Sequence, residues 1–90
     1  MNFIWNAKKA LSNIKKHGVS FEEASTVFLD VLSITGADPD HSEGEERWIT
    51  FGTSALNKFL VVSHTDSSET VRIISARLGT KSERNLYEKS

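Results

Sequence analysis

The sequence predicts an α+β domain, a small antiparallel sheet with helices packed against it. Three observations point there. From Lys58 to Arg77, two runs rich in β-branched and apolar residues flank a short polar turn, the pattern of a hairpin. Two Ser/Thr-x-x-Glu signatures, Ser20 to Glu23 and Thr80 to Glu83, mark helix starts. Short turns between neighbouring strand-like runs give the order strand, two helices, four strands, helix.

Taken in order, residues 2–5 read as a short strand, and Asn6 is placed to cap the next helix. Ala7, Ala10, Leu11 and Ile14 lie at helical spacing and form its expected buried stripe. Lys15, Lys16 and His17 suit the negative end of the helix dipole, and Gly18 stops the helix. A second helix is expected from Phe21 to about Leu29, burying Phe21, Ala24, Val27 and Phe28. Strands are expected at 31–36 and 47–52, separated by a polar loop over 37–44. Residues 53–57 form a turn in which Asn57 can adopt a left-handed conformation. The hairpin strands, 59–65 and 70–77, follow, and a helix runs to about Tyr87.

In the hairpin, Phe59 to Val62 and Ile73-Ile74 are apolar at successive positions, as in strands covered on both faces at a sheet centre. Treating Asp66 to Glu69 as a four-residue loop sets Thr65 opposite Thr70. That register places His64 opposite Val71 and Lys58 opposite Arg77. His64 and Arg77 are then about 20 Å apart, at opposite poles of the hairpin.

The 90 residues make one small domain with a thin core. No cysteine is present, so neither a disulfide framework nor a cysteine zinc site is expected. No run approaches a signal peptide or a membrane span, and the expected location is the cytoplasm. Net charge is −1, but unevenly spread. Residues 1–20 hold four lysines and no acid, while residues 21–48 hold eight acids and one base, Arg47. The balance argues against a DNA-binding domain, since no helix carries a recognition face. The acidic stretch suits a basic partner, with Glu43, Glu45 and Glu46 as its landing site.

Several collinear motifs together resemble the BrnT family. They are Lys16-His17-Gly18-Val19-Ser20-Phe21-Glu22-Glu23-Ala24, Val27-Phe28, Asp40-His41-Ser42 with Glu45-Glu46-Arg47, Arg72-Ile73-Ile74-Ser75-Ala76-Arg77, and Glu83-Arg84 with Tyr87. The family often has Trp-Asp near the start, where this chain has Trp5-Asn6. The resemblance implies a RelE-like fold and a ribonuclease toxin that arrests translation. It also implies neutralisation by a cognate DNA-binding antitoxin, with no cofactor.

Metal-free RNA cleavage needs a base for the 2′-hydroxyl, an acid for the leaving 5′-oxygen and cations for the phosphorane. An arginine fork suits the last task. Arg77 is the first candidate, with Lys58 and Tyr87 as helpers, because the resemblance implies basic residues and a C-terminal tyrosine. His64 with Arg47 is the alternative at the other pole. Arg72 and Arg84 are further cations for RNA contact. Arg77 can equally be a simple ion pair with Glu83. His41 beside Asp38 and Asp40 lacks a second fixed ligand set, so no metal site is expected. The competing class is a non-catalytic, antitoxin-binding module.

Overall fold

A computed structural model describes residues 1–38 and 46–90. Its elements are β1 (Asn2–Ile4), α1 (Ala7–His17), α2 (Phe21–Thr26) continued by a 3-10 turn (Val27–Leu29), β2 (Ile34–Ala37), β3 (Trp48–Thr53), β4 (Phe59–Ser67), β5 (Thr70–Leu78) and α3 (Lys81–Lys89). The order is the one the sequence predicts.

Capping sets the helix ends. Asn6 Oδ1 accepts from the Lys9 amide at 3.0 Å, and Gly18 closes α1 at φ 69°, where glycine carries no Cβ penalty. Ser20 accepts from the Glu23 amide, starting α2. Only half of that capping box forms, because the Glu23 carboxylate turns to Ser54 instead. At α3 both halves form, between Thr80 and Glu83.

Helix α1 is rotated from its expected stripe. Leu11 is 65% exposed, while Asn13 is buried. Asn13 Nδ2 donates to the Val19 and Ala76 carbonyls, and its Oδ1 accepts from the Ala76 amide. Three bonds to buried backbone outweigh the burial of one leucine. The strand expected from residue 31 begins only at Ile34. Asp30 first makes a turn, its side chain accepting from the Leu32 amide and its carbonyl from that of Ser33.

The sheet order is β1-β5-β4-β3-β2, so β4 is central. It is mixed: β2 to β5 pair antiparallel, but β1 joins β5 in parallel, with Phe3 beside Val71. The rows Thr35–Thr50–Val62–Ala76 and Ala37–Trp48–His64–Ile73 run across one face. Helices α1 and α2 cover it, burying Val19, Phe21, Ala24 and Val27 against Leu60, Val62, Val71, Ile73 and Ala76. Each large side chain there contributes about 1.5–3 kcal/mol. The opposite face carries Ile34–Phe51–Val61–Arg77 and Gly36–Ile49–Ser63–Ser75. There α3 packs near Phe59, whose ring lies 5.2 Å from that of Tyr87.

The hairpin register differs from the expected one. Its turn has two residues, Ser68 and Glu69, with Ser68 at φ 52°, so Ser67 faces Thr70. A bulge at Ile74 then advances the pairing again. His64 therefore pairs with Ile73 and not Val71, and Arg77 pairs with Val61 and not Lys58. The short turn is the physical reason: Asp66 and Ser67 extend β4 instead of looping.

Candidate functional site

The sheet ends beside the start of α3, and this junction gathers cations. Asn57, at φ 62°, turns the chain into β4. The Gly79 amide donates to the Phe59 carbonyl at 3.0 Å, which brings Thr80 alongside Lys58. A groove of about 390 Å³ results, lined by Asn57, Lys58, Phe59, Leu78, Gly79, Thr80, Lys81 and Arg84. Gly79 is required, since a Cβ there would overlap the Phe59 ring. The Arg84 guanidinium stands 5.8 Å from the Phe59 ring centre, within cation–π range. Lys81 opens α3 against the helix dipole and adds a third positive charge to the groove.

Lys58 Nζ lies 3.9 Å from Glu23 Oε1 and stays half-exposed. Glu23 is buried, and Ser54 Oγ donates to its other oxygen at 2.7 Å. This carboxylate from α2 holds Lys58 at the groove edge.

Arg77 lies beyond the groove on the open face. Its two terminal nitrogens donate to the two Glu83 oxygens, each at 2.8 Å. The Thr80 amide also donates to Glu83. The guanidinium bond leads in lowering the Glu83 pKa to about 2, and the same bond raises that of Arg77. The tyrosine is equally engaged. Tyr87 Oη donates to Asp30 Oδ2 at 2.5 Å and lies 3.2 Å from Thr53 Oγ1. Its bond to Asp30 raises the Tyr87 pKa, so the hydroxyl keeps its proton. Burial alone pushes Asp30 up, but bonds from Tyr87 and the Thr53 and Leu32 amides hold it low.

His64 lies on the other side of the sheet, 1% exposed beneath the helices. Its Nδ1 donates to Asp66 Oδ1 at 2.7 Å, because a carboxylate only accepts. In the neutral ring Nε2 then accepts from Thr50, also at 2.7 Å, and Thr50 from Thr35. The Phe28 ring stands edge-on at 4.9 Å. Burial lowers the His64 pKa against the pull of Asp66.

The structure thus brings Lys58 and Arg84 together, with Arg77 and Tyr87 behind them. It separates His64 from all four. Arg72 is exposed on the open face, its Nε donating to Thr65 at 3.3 Å. Arg47 is half-buried at the entry to β3, away from the groove. Glu46 is exposed, while Glu43, Glu45 and His41 lie outside the described residues. Among the described residues no cluster of carboxylates and histidines could hold a metal ion. Likewise, no helix among them is long and apolar enough to cross a membrane.

Sequence reasoning missed Lys81, Glu23 and Asp30. A lysine in the first turn of a capped helix is a readable signal, because it opposes the dipole. Glu23 and Asp30 act through contacts distant in sequence, which no local pattern carries.

A family model described as the ribonuclease toxin BrnT of type II toxin–antitoxin systems matches residues 5–83. The crystal structure of the Brucella abortus ribonuclease toxin BrnT superimposes with a TM-score of 0.65, covering 90% of this chain and 99% of that one at 23% identity. At that identity the likeness concerns the fold. No curated relative matches the chain.

Proposed function

This chain belongs to the BrnT family of ribonuclease toxins of type II toxin–antitoxin systems, and from that premise we propose that it cleaves RNA without a metal. In the cytoplasm this cleavage arrests translation, and a cognate DNA-binding antitoxin silences it. The observation that carries the reading is the groove beside α3, where Lys58, Lys81 and Arg84 converge on one concave surface. Glu23 and Glu88 pair with Lys58 and Arg84 from outside the lining, while the lining itself presents three cations and no acid, which favours a polyanion.

RNA lies with its backbone along Lys58, Lys81 and Arg84 and one base against the Phe59 ring, as single strands stack on aromatic groups. Arg72, beside Thr65 toward the other end of the hairpin, is a separate cationic contact for RNA on the open face. Arg77 supplies the planar fork for the phosphorane, which requires a phosphate to displace Glu83 from it. Tyr87 holds α3 in place through Asp30, and so sets Arg84. Fixing these cations on a strand end and a helix start keeps them aligned, which is what cleavage by positioning demands.

The test is cleavage of a single-stranded RNA by purified protein with EDTA present, with and without the product of the neighbouring gene. Cleavage that EDTA leaves intact and the second protein stops is the expected result. Loss of cleavage with EDTA would sink the metal-free mechanism.

One observation favours a second reading. The groove lining contains no histidine, carboxylate or tyrosine that could act as a base. A non-catalytic module that binds its antitoxin fits that. Expression of the chain alone separates the two: arrested growth supports the nuclease, and unaffected growth with folded protein present supports the module.

A further inference from the structure

The edge strand β2 ends the sheet, and its pairing with β3 fixes which of its backbone groups are spent. The Asp38 amide donates to the Arg47 carbonyl at 2.9 Å, so Asp38 points toward β3. By alternation Ile34 and Gly36 point the same way, and the N–H and C=O of Thr35 and Ala37 point outward. Among the described residues no strand pairs with this outer side. Edge strands are usually guarded by a lysine, a proline or a bulge. Residues Ile34–Ala37, sequence ITGA, have none of these.

Beside that edge, on the open face, Ile34, Gly36, Ala37, Ile49 and Phe51 line an apolar trough of about 200 Å³. Leu29, Val31 and Leu32 lead into the strand and are exposed, Val31 by 96%. An apolar trough next to unspent backbone groups marks an interaction site.

We propose that β2 receives an extended segment of the antitoxin as a sixth strand, with alternate apolar side chains seated in the trough. The proposal rests on the toxin–antitoxin reading above, which supplies the partner. Charge selects the occupant. The segment joining β2 to β3 contains Asp38, Asp40, Glu43, Glu45 and Glu46 against one arginine, Arg47. A second copy of this chain would bring the same net-acidic segment, and like charges repel. A partner with basic residues flanking its apolar positions gains from the same charges. Outward backbone groups supply affinity in such pairing, and the trough supplies selectivity.

Hydrogen exchange on the full chain, alone and with the protein encoded beside it, tests this without a mutation. Protection of the Thr35 and Ala37 amides should rise about 100-fold in the complex, since exchange of a free edge amide needs no unfolding. Gly36→Lys is the companion variant. A Cβ at Gly36 meets nothing within 4 Å, so the fold accepts the side chain, which puts a cation in the trough. It should weaken the complex about tenfold or more at unchanged melting temperature. Unchanged protection and affinity, in a complex that does form with the wild-type chain, would overturn strand addition and leave the toxin reading standing. Failure of the wild-type chain to bind at all would remove both. Protection that appears in the isolated chain and grows with its concentration would assign the edge to a second copy, and so overturn the proposal too.

Discussion

Arg77 and Glu83 meet fork to fork, with both nitrogen–oxygen distances at 2.8 Å. The same carboxylate caps α3 through the Thr80 amide. One side chain therefore fixes both the guanidinium and the helix that carries Arg84. Stability and activity should separate at this pair. Glu83→Ala loses a cap and a half-exposed ion pair, about 1–2 kcal/mol. Arg77→Ala loses less stability, because Glu83 still caps. RNA cleavage should nevertheless vanish in Arg77→Ala and survive in Glu83→Ala, with Arg77→Lys intermediate. Equal activity loss in the two alanine variants would reduce Arg77 to an ion-pair partner.

The pair also sets acid behaviour. Glu83 is depressed from an ordinary 4.5 to about 2. A depressed carboxylate adds stability that is fully present above its unfolded value and lost as pH falls through its folded one. The stability gap between wild type and Glu83→Gln should therefore be constant above pH 4.5 and shrink from there toward about pH 2. Denaturant titrations across that range measure it. A gap independent of pH would mean that the ion pair contributes nothing.

His64 works in a higher window. Burial lowers its pKa below the ordinary 6.5, opposed by Asp66. The unfolded chain then binds a proton that the folded chain refuses, so this contribution is present above pH 6.5 and declines below it. His64→Gln should flatten the fall in melting temperature between pH 7 and 5 relative to wild type. Cleavage per folded molecule should be unchanged at pH 7.5, because His64 is buried away from the groove. A selective loss of activity would return His64 to the chemistry.

Asn13→Ala tests the rotation of α1. It leaves the Val19 carbonyl and both Ala76 backbone groups without their partner, at a cost of about 2–4 kcal/mol. Leu11→Ser, on the expected but exposed stripe, should cost under about 0.5 kcal/mol. Chemical denaturation of both variants decides which face of the helix is the buried one.

What could be read in the sequence was local. Asn6, Gly18, Ser20, Asn57 and Thr80 act through neighbours within a few residues, and each takes the predicted role. The β-branched runs locate β4 and β5 for the same reason. Register was not legible, because Ser68 alone decides whether Asp66 and Ser67 loop or pair. The α1 stripe misled because apolar spacing counts residues and cannot weigh an asparagine that binds buried backbone three times. The groove was half legible. Lys58 and Arg84 stood out as charges, but the placement of Lys58 beside Thr80 depends on that register. Asp30 and Glu23 hold Tyr87 and Lys58 through pairings that only the folded chain creates.

The parallel pairing of β1 with β5 has a consequence for the order of events during synthesis. Residues 2–4 are made long before their sheet partners, residues 70–72. The first strand must wait unpaired until almost the whole sequence has been made, and long-range closures of this kind are slow. The Asn13 bonds to Ala76 and the Arg77 pair with Glu83 are completed in the same late interval. The sheet is therefore incomplete until β5 has emerged. Until β1 arrives, the outer edge of β5 stays unpaired, so the opposite side of the sheet from β2 is the last to close.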